Sequence, residues 1–191
     1  MATRAQPGRP RDPAVDDAIR AAARALLVEV GYQRLTLDAV ARRAGVSRPT
    51  LYLRWGSKAA LVHDAVFAVD PAGALATSDD LLADLEALVR GALALFADEV
   101  VAAAVPGLLA DYHDHPDRRD ALRDRVDRPV RAAFRARVAA GAERGQIPAD
   151  VDADALFDAL VGAVLFRVLV TGDAGDIAGD LVTLLGHVVR A

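Results

Sequence analysis

The stretch Leu35 to Lys58, LTLDAVARRAGVSRPTLYLRWGSK, constrains this chain more than any other. Two short helical patterns meet there at Gly45-Val46-Ser47. Thr36 is a candidate N-cap for a helix over 37–44, in which Leu37, Val40, Ala41 and Ala44 recur at three- and four-residue steps and form one buried face. Gly45 takes the turn, where a positive φ costs a glycine nothing. Val46 plugs the angle between the helices, and Ser47 caps a third helix whose first turn tolerates Pro49. Leu51 and Trp55 face inward, which leaves Arg48, Thr50, Leu53 and Arg54 pointing elsewhere. Helix, tight glycine turn and helix is the arrangement that sets the N-terminal end of the second helix into the major groove of DNA.

The side chains available at that end suit the task. Arg48 has the fork that bonds guanine O6 and N7 together, while Pro49 and the Thr50 methyl match thymine methyls, so Arg48, Pro49 and Thr50 form the expected base-reading set. Thr36, Tyr52, Arg54 and Lys58 supply hydroxyls, cations and helix N-termini for the DNA backbone. Charge is divided accordingly: residues 1–60 carry a balance of +6 and residues 61–191 one of −10. A basic head on an acidic body places one end on a polyanion. Residues 1–12 read as a flexible basic arm in which Arg4, Arg9 and Arg11 suit the narrow minor groove; a solvated tail is the other reading.

The remainder reads as helix. Apolar residues make up 53% of the chain and aromatics only 5%, with Ala, Leu and Val dominant, which favours an all-α fold. The spacing predicts helices over 13–30 (ended by Gly31), from Lys58 to about Val69, over 81–97, over 154–170 and over 177–189. Val100–Val105 and Leu108–His113 are expected as two short pieces stopped by Pro106 and Pro116. Arg118–Arg144 is expected as one long helix kinked at Pro129. The division is then a basic arm over 1–12, a DNA-binding domain over 13–69 with a connecting helix from about 57, and a larger helical domain over 78–191. Asp70-Pro71-Ala72-Gly73 marks the boundary.

The last two helices are apolar on more than one face, the mark of helices with more than one partner. They fit a four-helix homodimer interface through Leu160, Val164, Val168, Leu181, Leu184, Leu185 and Val188, or a buried hairpin in a monomer. Phe96, Tyr112, Phe134, Phe157 and Phe166, with Arg167, are the candidate lining of a pocket for an apolar, anionic effector; ordinary core packing is the alternative. His113 and His115 diverge on a helix and no further His or Cys cluster completes a ligand set, so no metal or other cofactor is expected. No Gly-x-Ser-x-Gly, Walker loop, dinucleotide fingerprint or HExxH occurs, and an enzyme is not expected. The N-terminus lacks the apolar run of a secretory signal, and the longest apolar stretch, 155–170, is broken by Asp158 and Arg167. A soluble, cytoplasmic protein without membrane contact is the expectation.

Leu35-Thr36, Ala39-Val40-Ala41, Ala44-Gly45-Val46-Ser47 and Thr50-Leu51-Tyr52, followed by Lys58 and Leu61, resemble the DNA-binding domain of TetR-type transcriptional repressors. The resemblance covers roughly residues 13 to 65. Fainter similarity to the C-terminal domain of one subset lies in Gly145-Gln146-Ile147, Asp150-Val151-Asp152, Leu160-Val161-Gly162 and Leu169-Val170-Thr171-Gly172. It implies a homodimeric repressor that binds double-stranded operator DNA and is released by a small-molecule effector. It also implies base contacts by Arg48, Pro49 and Thr50 and backbone contacts by Thr36, Tyr52, Arg54 and Lys58. Two departures stand out. Leu53-Arg54-Trp55 replaces a polar or aromatic residue, His and Phe, and Ala59-Ala60 lacks the acidic residue common after the lysine. The reading from another class is a helical ligand-binding or protein-interaction module whose basic head binds a non-operator polyanion or an acidic protein.

Overall fold

Side-chain caps decide where most helices begin. Asp12, Thr36, Ser47, Ser57, Asp80, Asp98 and Asp152 each accept a backbone N–H of the first turn that follows. Each such cap satisfies a donor the helix cannot, worth about 1 kcal/mol. The helices they start, with three others, are α1 (Pro13–Arg34), α2 (Leu37–Ala44), α3 (Arg48–Trp55), α4 (Lys58–Val66), α5 (Leu81–Ala97), α6 (Glu99–Asp114), α7 (Pro116–Leu122), α8 (Arg128–Glu143), α9 (Ala153–Phe166) and α10 (Ile177–Val189). A π-helical turn, Arg167–Thr171, follows α9. The structure is a computed structural model and describes residues 12–67, 78–122, 124, 127–172 and 177–189. The Asp70–Gly73 boundary and Arg4, Arg9 and Arg11 lie outside the described residues. No strand occurs among those described, and the fold is all-α.

Two apolar cores hold these helices. The first joins α1 to α4 and runs on into α6 through Val101, Ala104, Val105, Leu108 and Tyr112. The second gathers α5, α8, α9 and α10 around Leu85, Phe134, Phe157, Leu160 and Val164. Phe96, at the end of α5, packs against both. Directly after it the chain turns by 88° from α5 into α6, which is how one helix can leave the body and serve the head. No single helix among the described residues is long and apolar enough to cross a membrane.

Several boundaries differ from the sequence expectation. Gly31 (φ 74, ψ 168) ends the first helical run as expected, and a short second run beyond that kink carries α1 on to Arg34. α6 is one helix with Pro106 inside it, not two pieces. Pro106 is exposed while Val105, Gly107 and Leu108 are buried, so packing on both flanks outweighs the lost hydrogen bond. The long helix over 118–144 is instead α7 and α8, with π-type turns at Asp124 and Asp127 between them. Pro129 therefore stands in the first turn of α8, where its missing N–H costs least. The helix over 154–170 gives way at Arg167 to the wider π turn. The described part of α4 ends at Val66.

Candidate nucleic-acid interface

The turn between α2 and α3 has the geometry its residues prescribe. Gly45 is left-handed (φ 69, ψ 27), a conformation that costs any residue with a Cβ. Ser47 Oγ accepts the Thr50 N–H at 3.3 Å and lies 2.7 Å from Thr50 Oγ1. Leu51 is fully buried and Trp55 packs beside it, which turns the opposite arc of α3 outward. Arg48, Pro49, Tyr52 and Leu53 stand exposed on that arc, whereas Thr50 is half-buried with its hydroxyl engaged by the cap.

Carboxylates from neighbouring helices grip α3 at both ends. At its start, Arg48 Nε lies 2.8 Å from Asp38 on α2, and the guanidinium sits 5.4 Å from the Tyr52 ring centroid. The Tyr52 hydroxyl and Asp38 together hold Arg48 above the usual arginine range. At its far end, Arg54 pairs with Asp16 on α1, both largely out of solvent, so the cation expected on the phosphate side is turned into the head itself. Trp55 Nε1 donates to Asp64 Oδ2 at 2.9 Å, and Arg20 Nε donates to the same oxygen at 3.0 Å. The pairings of Asp16, Asp38 and Asp64 carry no signal in the sequence. Their partners lie on other helices, at separations that no single-helix periodicity reports.

Of the other backbone-contact candidates, Thr36 caps α2, its Oγ1 accepting the Ala39 N–H at 3.2 Å. Tyr52 is 42% exposed. Lys58, the first residue of α4, donates from Nζ to the Tyr32 carbonyl at 3.0 Å and lies 4.2 Å from that tyrosine's ring centroid. Burial pushes its ammonium below the usual lysine range, against the pull of Asp111. Tyr32 itself was overlooked by periodicity because it follows the break at Gly31. Its hydroxyl donates to Asp111 Oδ2 at 3.1 Å, an oxygen that Arg118 also approaches at 3.1 Å. Burial first, and then Asp111, raise the Tyr32 hydroxyl far above its ordinary range. Tyr32 packs on Gly107 of α6 so closely that a Cβ there would stand 2.2 Å from its ring.

The structure separates the remaining candidates. Phe134 and Phe157 meet edge to face at 5.2 Å inside the second core, and Tyr112 belongs to the first, its hydroxyl pushed up to about 12 by burial and by Asp111. Phe96 lies between the cores, and Phe166 is 58% exposed. Arg167 is half-buried, and its Nε is out of solvent with no hydrogen-bond partner among the described residues. Leu160 and Val164, expected on an outer interface, are turned into the chain's own second core. Val168, Leu181 and Leu185 are half-buried, and Leu184 is 61% exposed. The Val188 side chain lies outside the described residues. Phe166, expected in a pocket, is exposed at the end of α9, and Val170 is 67% exposed on the π turn, which rotates the residues after Phe166 away from the register of α9.

Comparison with known proteins gives two family matches that between them span most of the chain. Residues 19–65 match "Bacterial regulatory proteins, tetR family", and residues 75–178 match "Tetracyclin repressor-like, C-terminal domain". The chain is 33% identical over 141 residues to a DNA-binding transcriptional repressor TetR of Mycobacteroides abscessus, covering 70% of each protein. It is 29% identical over 174 residues to the HTH-type transcriptional regulator YdeS of Bacillus subtilis (strain 168), covering 87% of this chain and 84% of that one. Among solved structures, the TetR family transcription regulator SCO0332 superposes with a TM-score of 0.71 at 30% identity, over 92% of this chain and 97% of that one.

Proposed function

The chain belongs to the TetR family of bacterial regulatory proteins, DNA-binding transcriptional regulators rather than enzymes, and from that premise we propose that it works as a homodimer. In this reading each protomer sets α3 into one half of an inverted-repeat operator, and a small, mainly apolar effector bound in the helical body releases the DNA. The observation that carries the reading is the outward arc of α3, with Arg48 and Pro49 exposed at the N-terminal end while Leu51 anchors the helix from behind. That end is the part of a recognition helix that reaches base edges.

Arg48 is the proposed guanine reader, with Pro49 and the Thr50 methyl against thymine. Thr36, Tyr52 and Lys58 are the proposed phosphate contacts, Thr36 and Lys58 because they stand at the N-termini of α2 and α4 and Tyr52 because it is exposed on the outward arc of α3. Arg54 contributes through Asp16, as a strut that fixes the end of α3. Arg4, Arg9 and Arg11 would follow the minor groove. For the second copy, the exposed Phe166, Val170 and Leu184 offer an apolar surface of the kind that marks protein contacts. For the effector, the Nε of Arg167, out of solvent and without a hydrogen-bond partner among the described residues, favours a molecule with an anionic group on an apolar frame.

Quantitative binding to a preferred duplex tests the assignment. Arg48→Ala is expected to flatten preference at one base pair per half-site, a loss of about 1–3 kcal/mol there. Lys58→Ala is expected to lower affinity for every sequence alike and to reduce the salt dependence by about one counterion per protomer. An unchanged sequence profile for Arg48→Ala removes that residue from the reading set.

A further inference from the structure

We propose that Leu53 is an additional base-reading residue, one that selects thymine through its 5-methyl group; the proposal rests on α3 being the helix that reads DNA. Leu53 is 87% exposed, more than any other large apolar side chain exposed among the described residues. It lies two residues from Leu51, which is fully buried, and so stands roughly 200° round the helix from the anchoring side. Four residues from Pro49, it continues the same outward stripe one turn further along. At 1.5 Å per residue that is roughly 6 Å along the axis, or about two base steps of 3.4 Å.

The state of its neighbours argues for an apolar contact. Arg48 is held by Asp38 at 2.8 Å, and the Thr50 hydroxyl lies 2.7 Å from the cap oxygen of Ser47. Each must give up a partner to bond a base edge. Pro49 and Leu53 carry no polar side-chain group and meet the groove as they stand. The apolar feature of the major groove is the thymine methyl, and a leucine, having neither donor nor acceptor, can discriminate bases there only by that contact or by its bulk.

Replacing thymine by uracil removes the methyl and leaves the pairing edge intact. The test takes the full-length protein, the duplex it selects from a random pool, and a set of duplexes with dU in place of each dT of one half-site, each titrated with wild-type and Leu53→Ala protein. Thermal melts of the two proteins confirm equal folding, as an exposed position requires. The expected result is one dU position that weakens the wild type by about fourfold, the worth of one buried methyl, and leaves Leu53→Ala unchanged. Equal losses for both proteins at every position, or no loss for the wild type anywhere, overturns the role of Leu53 while selective DNA binding stands. Failure to select any duplex overturns both.

Discussion

Asp38 holds the residue proposed to read guanine, and that contact has a consequence for specificity. A carboxylate 2.8 Å from Arg48 repels phosphate and must be displaced before the guanidinium can turn to a base. A guanine, with two acceptors in line, can compensate for the lost ion pair; a random site compensates poorly, so Asp38 penalises wrong sequences more than the right one. Asp38→Asn is therefore expected to tighten non-specific binding several-fold and to narrow the ratio between selected and random duplexes. Fluorescence anisotropy against both at one salt concentration measures this, and an unchanged ratio contradicts the role. At this scale the sequence was legible wherever one helix decides the outcome. Leu51 and Trp55 had to face inward because they are four apart beside Gly45 and Ser47, and Arg48 and Pro49 followed outward. Pairings between helices were not legible. Arg54 is chemically fit for phosphate, yet it meets Asp16 because α3 ends against the first turn of α1, and only the crossing of two helices brings those residues together.

Helix α6 is the element that links head and body. Its inner side completes the head's core, and its Gly107 gives Tyr32 a surface without a Cβ. Gly107→Ala is expected to destabilise by about 1–3 kcal/mol through overpacking. Gly91→Ala in α5, where an added Cβ meets nothing within 4 Å, is expected to stabilise by about 0.5–1 kcal/mol. Chemical denaturation of the two variants separates a steric need from a helix-propensity effect. In the body, the buried Asp84–Arg137 pair ties α5 to α8 and to Ser78, whose N–H donates to Asp84 at 3.1 Å and whose carbonyl accepts from Arg137 at 3.0 Å. Burial pushes the Asp84 carboxyl up, but the Ser78 hydrogen bonds and Arg137 outweigh it and leave the group below its ordinary range. A carboxyl depressed on folding adds stability that is present above its unfolded value, about pH 4, and lost as pH falls through the folded one. Asp84→Asn is expected to cost about 3 kcal/mol at pH 7 by leaving Arg137 unpaired, with the gap from wild type closing on acidification below about pH 4. Thermal melts from pH 7 to pH 3 follow it. α2 and α3 were legible from spacing and from their caps, Thr36 and Ser47. α6 as one helix was not, since proline normally stops a helix and only the burial of both its flanks sustains this one.

The molecule as a whole joins a basic head to a body that leaves Phe166, Val170 and Leu184 exposed. The two-faced character of the last helices was readable, but which face turns inward was not, because that depends on how α9 packs against α5 and α8 in the second core. Leu160 and Val164 went to the core, and Phe166, Val170 and Leu184 remain in solvent. If a second copy covers them, Phe166→Glu together with Leu184→Glu is expected to give a monomer in sedimentation equilibrium that keeps its helical content and loses at least tenfold in operator affinity, since the two half-sites no longer act together. The central claim, that α3 reads a specific sequence once in each of two protomers, is tested most directly by selecting duplexes from a random pool with the full-length protein at moderate salt. The expected result is enrichment of an inverted repeat whose half-sites lie about one helical turn or a multiple of it apart. Binding that stays strong but enriches no sequence, or enriches a single unrepeated half-site, would contradict it.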